Sequence, residues 1–170
     1  MTNSLRLNSW LTADGDEIEF EDILSVIRDY DTADNRIFVG ADSMIYTSSC
    51  VFATAICLHD DLNKRATYFY QRQKLLPHKY SNLKVRIFKE VQSSIDVGLL
   101  LMEEFPATTI EIHIDVGRTH RSKTRSLVDV VGGWVKSLGF GVKLKPHSWA
   151  SSSVADWHTK RARSKTKEKK

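Results

Sequence analysis

The sequence has little cysteine, little proline and no long apolar run, and each scarcity excludes a class of protein. Two cysteines and three prolines in 170 residues are too few for a disulfide-stapled domain or a proline-rich repeat. No apolar run approaches the roughly 18 residues of a membrane-spanning helix, so we expect no membrane partner. The first residues lack the apolar stretch of a secretory signal. Cys50 and Cys57 are therefore expected to be reduced core thiols of a cytoplasmic protein.

What is present is the composition of one ordinary globular domain, 41% hydrophobic and 27% charged. The net charge of +4 averages unequal regions. Residues 1–34 carry nine acidic side chains against two basic ones, and residues 158–170 carry seven basic side chains against one acidic. We predict an acidic N-terminal extension with a short helix at 1–34, a folded domain at 35–162 and a basic tail at 163–170. Such a tail suits either a polyanionic partner or plain solvation.

Hydrophobic periodicity predicts an α/β fold. After a leading helix at 18–30, strands are predicted at 36–43, 50–58, 65–73, 109–115 and 140–145, and helices at 81–105, 125–138 and 151–165. Short turns make the first three strands antiparallel, whereas helical crossovers make the last two parallel to the first. The prediction is a mixed five-stranded sheet of order 3-2-1-4-5 with helices on both faces.

Four carboxylates occupy positions where catalytic chemistry would need them. Asp42 ends the first predicted strand and Asp115 ends the fourth, so both lie where open α/β sheets bind ligands. Glu90 lies on the long helix beside its apolar stripe, and Asp156 lies on the last helix. Clustered carboxylates without cysteine suit Mg²⁺ or Mn²⁺. Two such ions about 4 Å apart can promote cleavage of a phosphodiester bond.

Each of these carboxylates also has an ordinary structural interpretation. Asp42 suits the start of a turn, and Asp115 suits a strand-to-loop turn. Glu90 can pair with the arginine one helical turn earlier, and Asp156 can complete a capping box opened by the serine three residues before it. Only the combination of all four in this element order favours a metal site.

Four short segments surround these carboxylates: GADSM at 40–44, RIFKEVQSS at 86–94, EIHIDVG at 111–117 and KPHSWASSSVADWHTK at 145–160. Together they resemble the YkuK family of predicted nucleases, within the ribonuclease H-like superfamily, over about residues 18–162. The resemblance implies a ribonuclease H-like fold and hydrolysis of RNA, an RNA–DNA hybrid or structured DNA with two Mg²⁺ or Mn²⁺ ions. The metal ligands and catalytic carboxylates that it implies are Asp42, Glu90, Asp115 and Asp156. Met44 and His147 depart from the family pattern without removing a proposed ligand.

Basic side chains are predicted to contact the nucleic-acid backbone. The loop after Asp115, GRTHRSKTR, holds four of them and leaves its strand beside that carboxylate, where a phosphate would pass. The predicted contacts are Arg118, Arg121, Lys123, Arg125, Lys145, Lys160 and Arg161. For the loop, an ordinary solvated charge run is the alternative.

Histidine and tryptophan supply further candidates. His158, on the last helix, is predicted to move a proton in catalysis, with a solvated tail histidine as the alternative. His113 shares a strand face with Asp115 and suits either a place near the metals or a hydrogen-bonded place in the sheet. Trp149 and Trp157 suit either base stacking or packing of the last helix.

Three functions are compatible with these features. A metal-dependent nuclease explains the carboxylates and the basic loop together. A nucleic-acid-binding or protein-binding module would keep the fold without catalysis, and its binding would survive chelation of metal. An ATPase of the actin or hexokinase kind is disfavoured, because 170 residues leave no room for the duplicated half of such enzymes. The sequence predicts no oligomeric state.

Overall fold

The structure is a computed structural model that describes residues 8–30, 36–60, 65–119 and 122–161. Its centre is one seven-stranded mixed sheet of order β2-β1-β5-β4-β3-β6-β7. The strands are β1 Trp10–Thr12, β2 Glu17–Ile18, β3 Arg36–Ile45, β4 Cys50–Asp60, β5 Arg65–Leu75, β6 Thr109–Gly117 and β7 Gly141–Lys145.

The five longer strands confirm the predicted order. β3, β4 and β5 pair antiparallel, β6 pairs parallel with β3, and β7 pairs parallel with β6. Among the residues that the structure describes, the sheet nevertheless has seven strands instead of the five predicted. The two additional strands, of three and two residues, are too short to show alternation in the sequence. β1 is defined as a strand by its antiparallel pairing with β5 on one side and with β2 on the other.

Helices cover both faces of the sheet, as predicted. In the described part of the chain they are α1 Phe20–Tyr30, α2 Leu83–Glu104, α3 Val128–Ser137, the π-helical turn Ala150–Ala155 and α4 Asp156–Arg161. Short 3₁₀ turns at Pro77–Tyr80 and Arg125–Leu127 precede α2 and α3. The first three α-helices pack on one face around the main hydrophobic core, and the π-helical turn packs on the other face against the alanines of β4.

The described part of the acidic N-terminal region lies within the same sheet and core as the rest of the molecule. Its predicted short helix is present as α1, which begins at Phe20 because Glu17–Ile18 forms β2. The side chains that α1 buries in the main core are Phe20, Ile23, Leu24 and Ile27. The predicted basic tail at 163–170 lies outside the described residues.

The two cysteines are free and buried. Burial raises the pKa of both the Cys50 and the Cys57 thiol, so both stay protonated near neutral pH and suit the predicted role of core thiols. Among the described residues, none of the helices combines the length and the apolar character that crossing a membrane requires.

Gly40 allows the π-helical turn to lie directly on β3. A Cβ atom at this position would stand 2.5 Å from the backbone nitrogen of Ser151 and 2.6 Å from the carbonyl carbon of Ala150. Only glycine leaves room for so close a backbone approach. The contact fixes the distance between β3, which carries Asp42, and the segment that leads into Asp156.

Candidate metal centre

Three carboxylates converge on one cleft at the carboxyl ends of β3 and β6. Asp42 on β3, Glu90 on α2 and Asp115 on β6 line a cavity of about 230 Å³, together with Ser43 and Lys145. Because β3 and β6 are parallel neighbours, their polar ends meet at one edge of the sheet, which is where open α/β sheets bind ligands. This cleft is the carboxylate cleft.

Asp156 lies beside the carboxylate cleft, at the junction of the π-helical turn and α4. Its negative charge contributes to the raised pKa of Asp42, so the two side chains lie within range of mutual repulsion. Lys160 Nζ donates a hydrogen bond of 2.6 Å to Asp156 Oδ2 from the next turn of the helix. The structure therefore gathers all four predicted carboxylates in one region, three of them on the cleft itself.

Hydroxyl groups hold two of these carboxylates in place. Ser43 Oγ donates to Glu90 Oε1 at 2.6 Å, and Thr159 Oγ1 donates to Asp42 Oδ2 at 2.9 Å. Outer partners of this kind fix the orientation of a metal-binding carboxylate. The sequence analysis does not identify either hydroxyl, although Ser43 directly follows Asp42 and Thr159 lies three residues after Asp156.

Burial raises the pKa of two carboxyl groups in the cleft. The pKa of Glu90 rises to about 8, chiefly because the group is removed from water and further because Asp42 and Asp115 are negatively charged. The pKa of Asp42 rises to about 6, again chiefly through burial, with Asp156 and Asp115 adding to the effect. Carboxylates that share a buried site favour either a proton or a cation between them.

Lysine ammonium groups neutralise the other two carboxylates. Lys145 Nζ lies 2.8 Å from Oδ1 and 3.0 Å from Oδ2 of Asp115, and Lys160 binds Asp156 as described above. Asp115 Oδ1 is buried and makes no hydrogen bond among the described residues, because the nearby ammonium group is aligned only with Oδ2. Both lysines are predicted to contact phosphate, and the structure places each in an ion pair with a proposed metal ligand.

The chemistry of these donors, taken by residue type, suits a divalent cation of the magnesium class. All four candidates are carboxylates, the hard oxygen ligands that Mg²⁺ and Mn²⁺ prefer, and Asp115 Oδ1 already has a positive group, the Lys145 ammonium, 2.8 Å away. As the side chains stand, no three His, Cys, Asp or Glu residues in the described ranges are close enough to hold one ion together. Lys145 and Lys160 place a positive charge next to Asp115 and Asp156. A positive charge is therefore favourable beside each of these two carboxylates.

His113 is a hydrogen-bonded residue of the sheet, the second of its two predicted interpretations. Its Nδ1 accepts the backbone N–H of Ala150 at 3.1 Å, and its Nε2 lies 3.0 Å from Glu111 Oε1. Because Nδ1 is an acceptor, the proton lies on Nε2 and is donated to Glu111. Burial lowers the pKa of His113, so the ring stays neutral and anchors the start of the segment that carries Asp156. Glu111 is a partner that the sequence analysis does not identify.

His158 packs against β5. Its ring stacks on Tyr70 with the ring centroids 3.4 Å apart, and Nε2 lies 3.3 Å from the hydroxyl oxygen of Tyr68. Burial, with Arg72 and Arg161 nearby, lowers the pKa of His158 to about 4, so the ring is neutral at pH 7. It does not line the carboxylate cleft as the described residues define it, and its predicted role in proton transfer stays a prediction that this placement does not support.

The two tryptophans of the last segment differ in environment. Trp149 packs on Phe38 and His113, with ring centroids 5.1 Å and 5.3 Å away. Trp157 is 51% exposed, and the guanidinium of Arg161 lies 4.1 Å from its ring centroid. Trp149 therefore has a packing role, whereas Trp157 remains accessible next to Asp156 for the predicted stacking.

Several predicted phosphate contacts face solvent near the cleft. Arg118, Lys123 and Arg125 are exposed in the segment after β6, and Lys160 and Arg161 are exposed on α4. Arg121 lies outside the described residues. The cations that can be placed therefore lie on the segment that follows Asp115 and on the helix that carries Asp156.

A mixed α/β sheet with carboxylates at the carboxyl ends of two parallel strands defines a class of proteins. Comparison with known sequences identifies the family within that class. The family model described as "Ribonuclease H-like" matches residues 19–160, and the chain belongs to this ribonuclease H-like family. It is 24% identical over 163 residues to a Bacillus subtilis (strain 168) protein named "Uncharacterized protein YkuK", a match that covers 85% of this chain and 92% of the relative. No solved structure matches the chain. Membership of this family indicates a nuclease or a nucleic-acid-binding module.

The raised pKa of Glu90 predicts that metal-free stability falls as pH rises. A carboxyl group whose pKa is higher in the folded state than in the unfolded state stabilises the fold only while it stays protonated. Below about pH 6.5 the lowered pKa values of His113 and His158 act in the opposite direction. Between about pH 6.5 and 8, Glu90 dominates, and the free energy of unfolding is expected to fall by about 2 kcal/mol.

Urea unfolding in EDTA across that interval measures the effect. A flat profile in the parent protein would contradict the assignment to Glu90. The same titration on a Glu90→Gln variant is the control, since glutamine cannot ionise, and its free energy of unfolding is expected not to fall over this interval.

Proposed function

We propose that the protein is a divalent-metal-dependent nuclease that hydrolyses phosphodiester bonds of RNA, an RNA–DNA hybrid or structured DNA. The observation that carries the proposal is the convergence of Asp42, Glu90 and Asp115 on one cleft, with Asp156 beside it. In this proposal the four carboxylates hold two Mg²⁺ or Mn²⁺ ions. When bound, such ions activate a water molecule and stabilise the leaving oxygen.

The neighbouring residues of the chain have distinct parts in this proposal. Ser43 and Thr159 keep Glu90 and Asp42 oriented through their hydrogen bonds. Lys145 and Lys160 neutralise the site while no metal is bound, and their ammonium groups then become available to the substrate phosphates. The exposed Arg118 attracts the backbone from the side of β6.

The proposal is tested by incubating labelled RNA, hybrid and branched DNA with Mn²⁺ or with EDTA. Cleavage is expected only with metal, and an Asp115→Asn variant is expected to lose more than about 100-fold in rate, beyond the loss typical of an outer-shell change. Calorimetric titration with Mn²⁺ should show weakened binding in the same variant. Asp129→Asn is the matched control, because Asp129 is an exposed carboxylate on α3.

Two results would reject the nuclease. One is cleavage that persists in EDTA at the same rate. The other is an Asp115→Asn variant that cleaves as fast as the Asp129→Asn control.

A nucleic-acid-binding or protein-binding module without catalysis is the second candidate function. The ion pairs of Lys145 with Asp115 and of Lys160 with Asp156 favour it, because they satisfy two carboxylates without metal. This alternative expects binding that weakens steeply with salt, is unaffected by EDTA and yields no cleavage product with either metal.

A further inference from the structure

A second and larger cavity, of about 1020 Å³, lies along the edge strand β7. Its walls come from the segment after β6, from α3, from β7 and from the π-helical turn. We call it the β7 groove and define it by six of its lining residues, Arg118, Lys136, Val142, Lys143, Leu144 and Lys145.

The β7 groove opens onto the carboxylate cleft. Ser122 and Lys145 line both cavities, and Lys145 binds Asp115. A polymer bound with one phosphate at the carboxylates therefore has a continuous path from that phosphate into the groove.

The charge of the β7 groove is of one sign. Arg118, Lys136 and Lys143 contribute three cations on exposed residues, and Lys145 contributes a fourth that is ion-paired with Asp115 of the carboxylate cleft. No carboxylate lines the groove within the described part of the chain. Such a surface attracts a polyanion and repels cationic ligands.

Beside these cations, the groove presents apolar surface. Val142 and Leu144 on β7 pack against the main hydrophobic core and are half-buried, so part of each side chain faces the groove, and Pro146 directly after the strand is exposed. A continuous duplex meets a protein mainly through its phosphates, sugars and groove edges, since its base faces are stacked inside. An unpaired strand exposes its base faces, which gain from contact with apolar surface. Apolar surface bordered by cations therefore suits a single strand better than a duplex.

We propose that the β7 groove binds an unpaired segment of nucleic acid that continues from the phosphate held at the carboxylate cleft. The substrate class is thus a strand with a single-stranded portion, such as an overhang, a flap or a loop, and not an uninterrupted duplex. The inference rests on the proposed nuclease function for the location of that phosphate.

Fluorescence anisotropy in EDTA tests the groove without cleavage. The probes are a labelled oligothymidine, which forms no duplex with itself, and a blunt duplex of the same length. The parent protein is expected to bind the single strand at least about tenfold more tightly, given the contribution of base contacts to such binding. The Lys136→Glu, Lys143→Glu double variant is expected to lose this preference.

A Lys74→Glu, Lys79→Glu double variant is the matched control, since both lysines are exposed on or after β5 and the change in charge is the same. It is expected to keep the preference for the single strand. Val142→Thr keeps the side-chain shape and the net charge, and is expected to weaken binding of the single strand several-fold while leaving duplex binding unchanged.

The proposal is overturned if the parent protein binds both probes equally, or if the Lys136→Glu, Lys143→Glu variant retains the preference. It is also overturned if polyglutamate displaces the oligothymidine at equal charge concentration, which would make the groove a docking surface for acidic peptides. Preference for the single strand, with no cleavage of the RNA, hybrid or branched DNA in Mn²⁺, would reject the nuclease and support the groove. Cleavage in Mn²⁺ without any such preference would reject the groove alone.

Discussion

A Glu90→Gln variant is expected to be more stable than the parent protein in metal-free buffer at pH 8, and to be inactive. In the parent, ionising Glu90 is unfavourable because the group is buried beside Asp42 and Asp115, which raises its pKa to about 8. Glutamine removes this cost and still accepts the 2.6 Å hydrogen bond from Ser43 Oγ. We expect a gain of at least about 2 kcal/mol in the free energy of unfolding.

The same substitution is expected to reduce metal-dependent cleavage by more than about 100-fold, because a neutral amide is a poor ligand for a hard cation. Urea unfolding in EDTA and in Mn²⁺ separates the two effects, since a ligand stabilises only the form that binds it. Glu103→Gln on the exposed face of α2 is the control. A Glu90→Gln variant that keeps both its activity and its stabilisation by Mn²⁺ would remove Glu90 from the proposed site.

A Gly40→Ala variant is expected to lose about 3 kcal/mol of stability, at the upper end of the usual cost of overpacking. The added Cβ would stand 2.5 Å from the backbone nitrogen of Ser151, and backbone on both sides leaves no flexible side chain to move. We expect the melting temperature to fall by about 10 °C. The π-helical turn must then shift away from β3, so the distance between Asp156 and Asp42 is expected to increase. Mn²⁺ affinity is therefore expected to fall together with stability.

Gly133→Ala is the matched control for this change. It lies on α3, and a Cβ there would have nothing within 4 Å. Alanine is the better helix former by about 1 kcal/mol, so this variant is expected to melt at or above the parent temperature. Equal melting temperatures for the two variants would contradict the close contact between the π-helical turn and β3 at Gly40.

The central fold can be predicted from the sequence because its long strands and helices show a regular spacing of apolar residues. The alternation of isoleucines in β6 and the helical spacing of apolar residues in α2 identify elements of nine and 22 residues. β1 and β2 show no such pattern, since β1 is defined by its pairing with β5 and β2 by its pairing with β1, and not by local preference. The helix predicted at 151–165 shows a second limit of prediction from sequence. Its start is the π-helical turn Ala150–Ala155, and local sequence does not distinguish a π-helical from an α-helical turn.

For the candidate site, the chain indicates which carboxylates meet but not what each one touches. Asp42 and Asp115 follow from strand topology alone, because the ends of parallel neighbours share an edge. The contacts of Asp42 with Thr159 and of Asp115 with Lys145 join residues 117 and 30 positions apart, which no local pattern encodes. The burial that sets the pKa of Glu90, and the stacking of His158 on Tyr70, likewise depend on tertiary packing.

The strand order has a consequence for how the molecule behaves at high concentration. An open sheet has two edges whose unpaired backbone groups invite pairing with another copy. At one edge β1 pairs only with the middle of β5, from Phe69 to Gln71, and the next residues along β5 include Arg72 and Lys74. At the other edge, β7 carries Lys143 and Lys145 on exposed positions. The part of β5 beyond its pairing with β1 and the edge strand β7 thus bear like charge, so two copies that approach through these two segments repel each other and strand pairing between them is disfavoured.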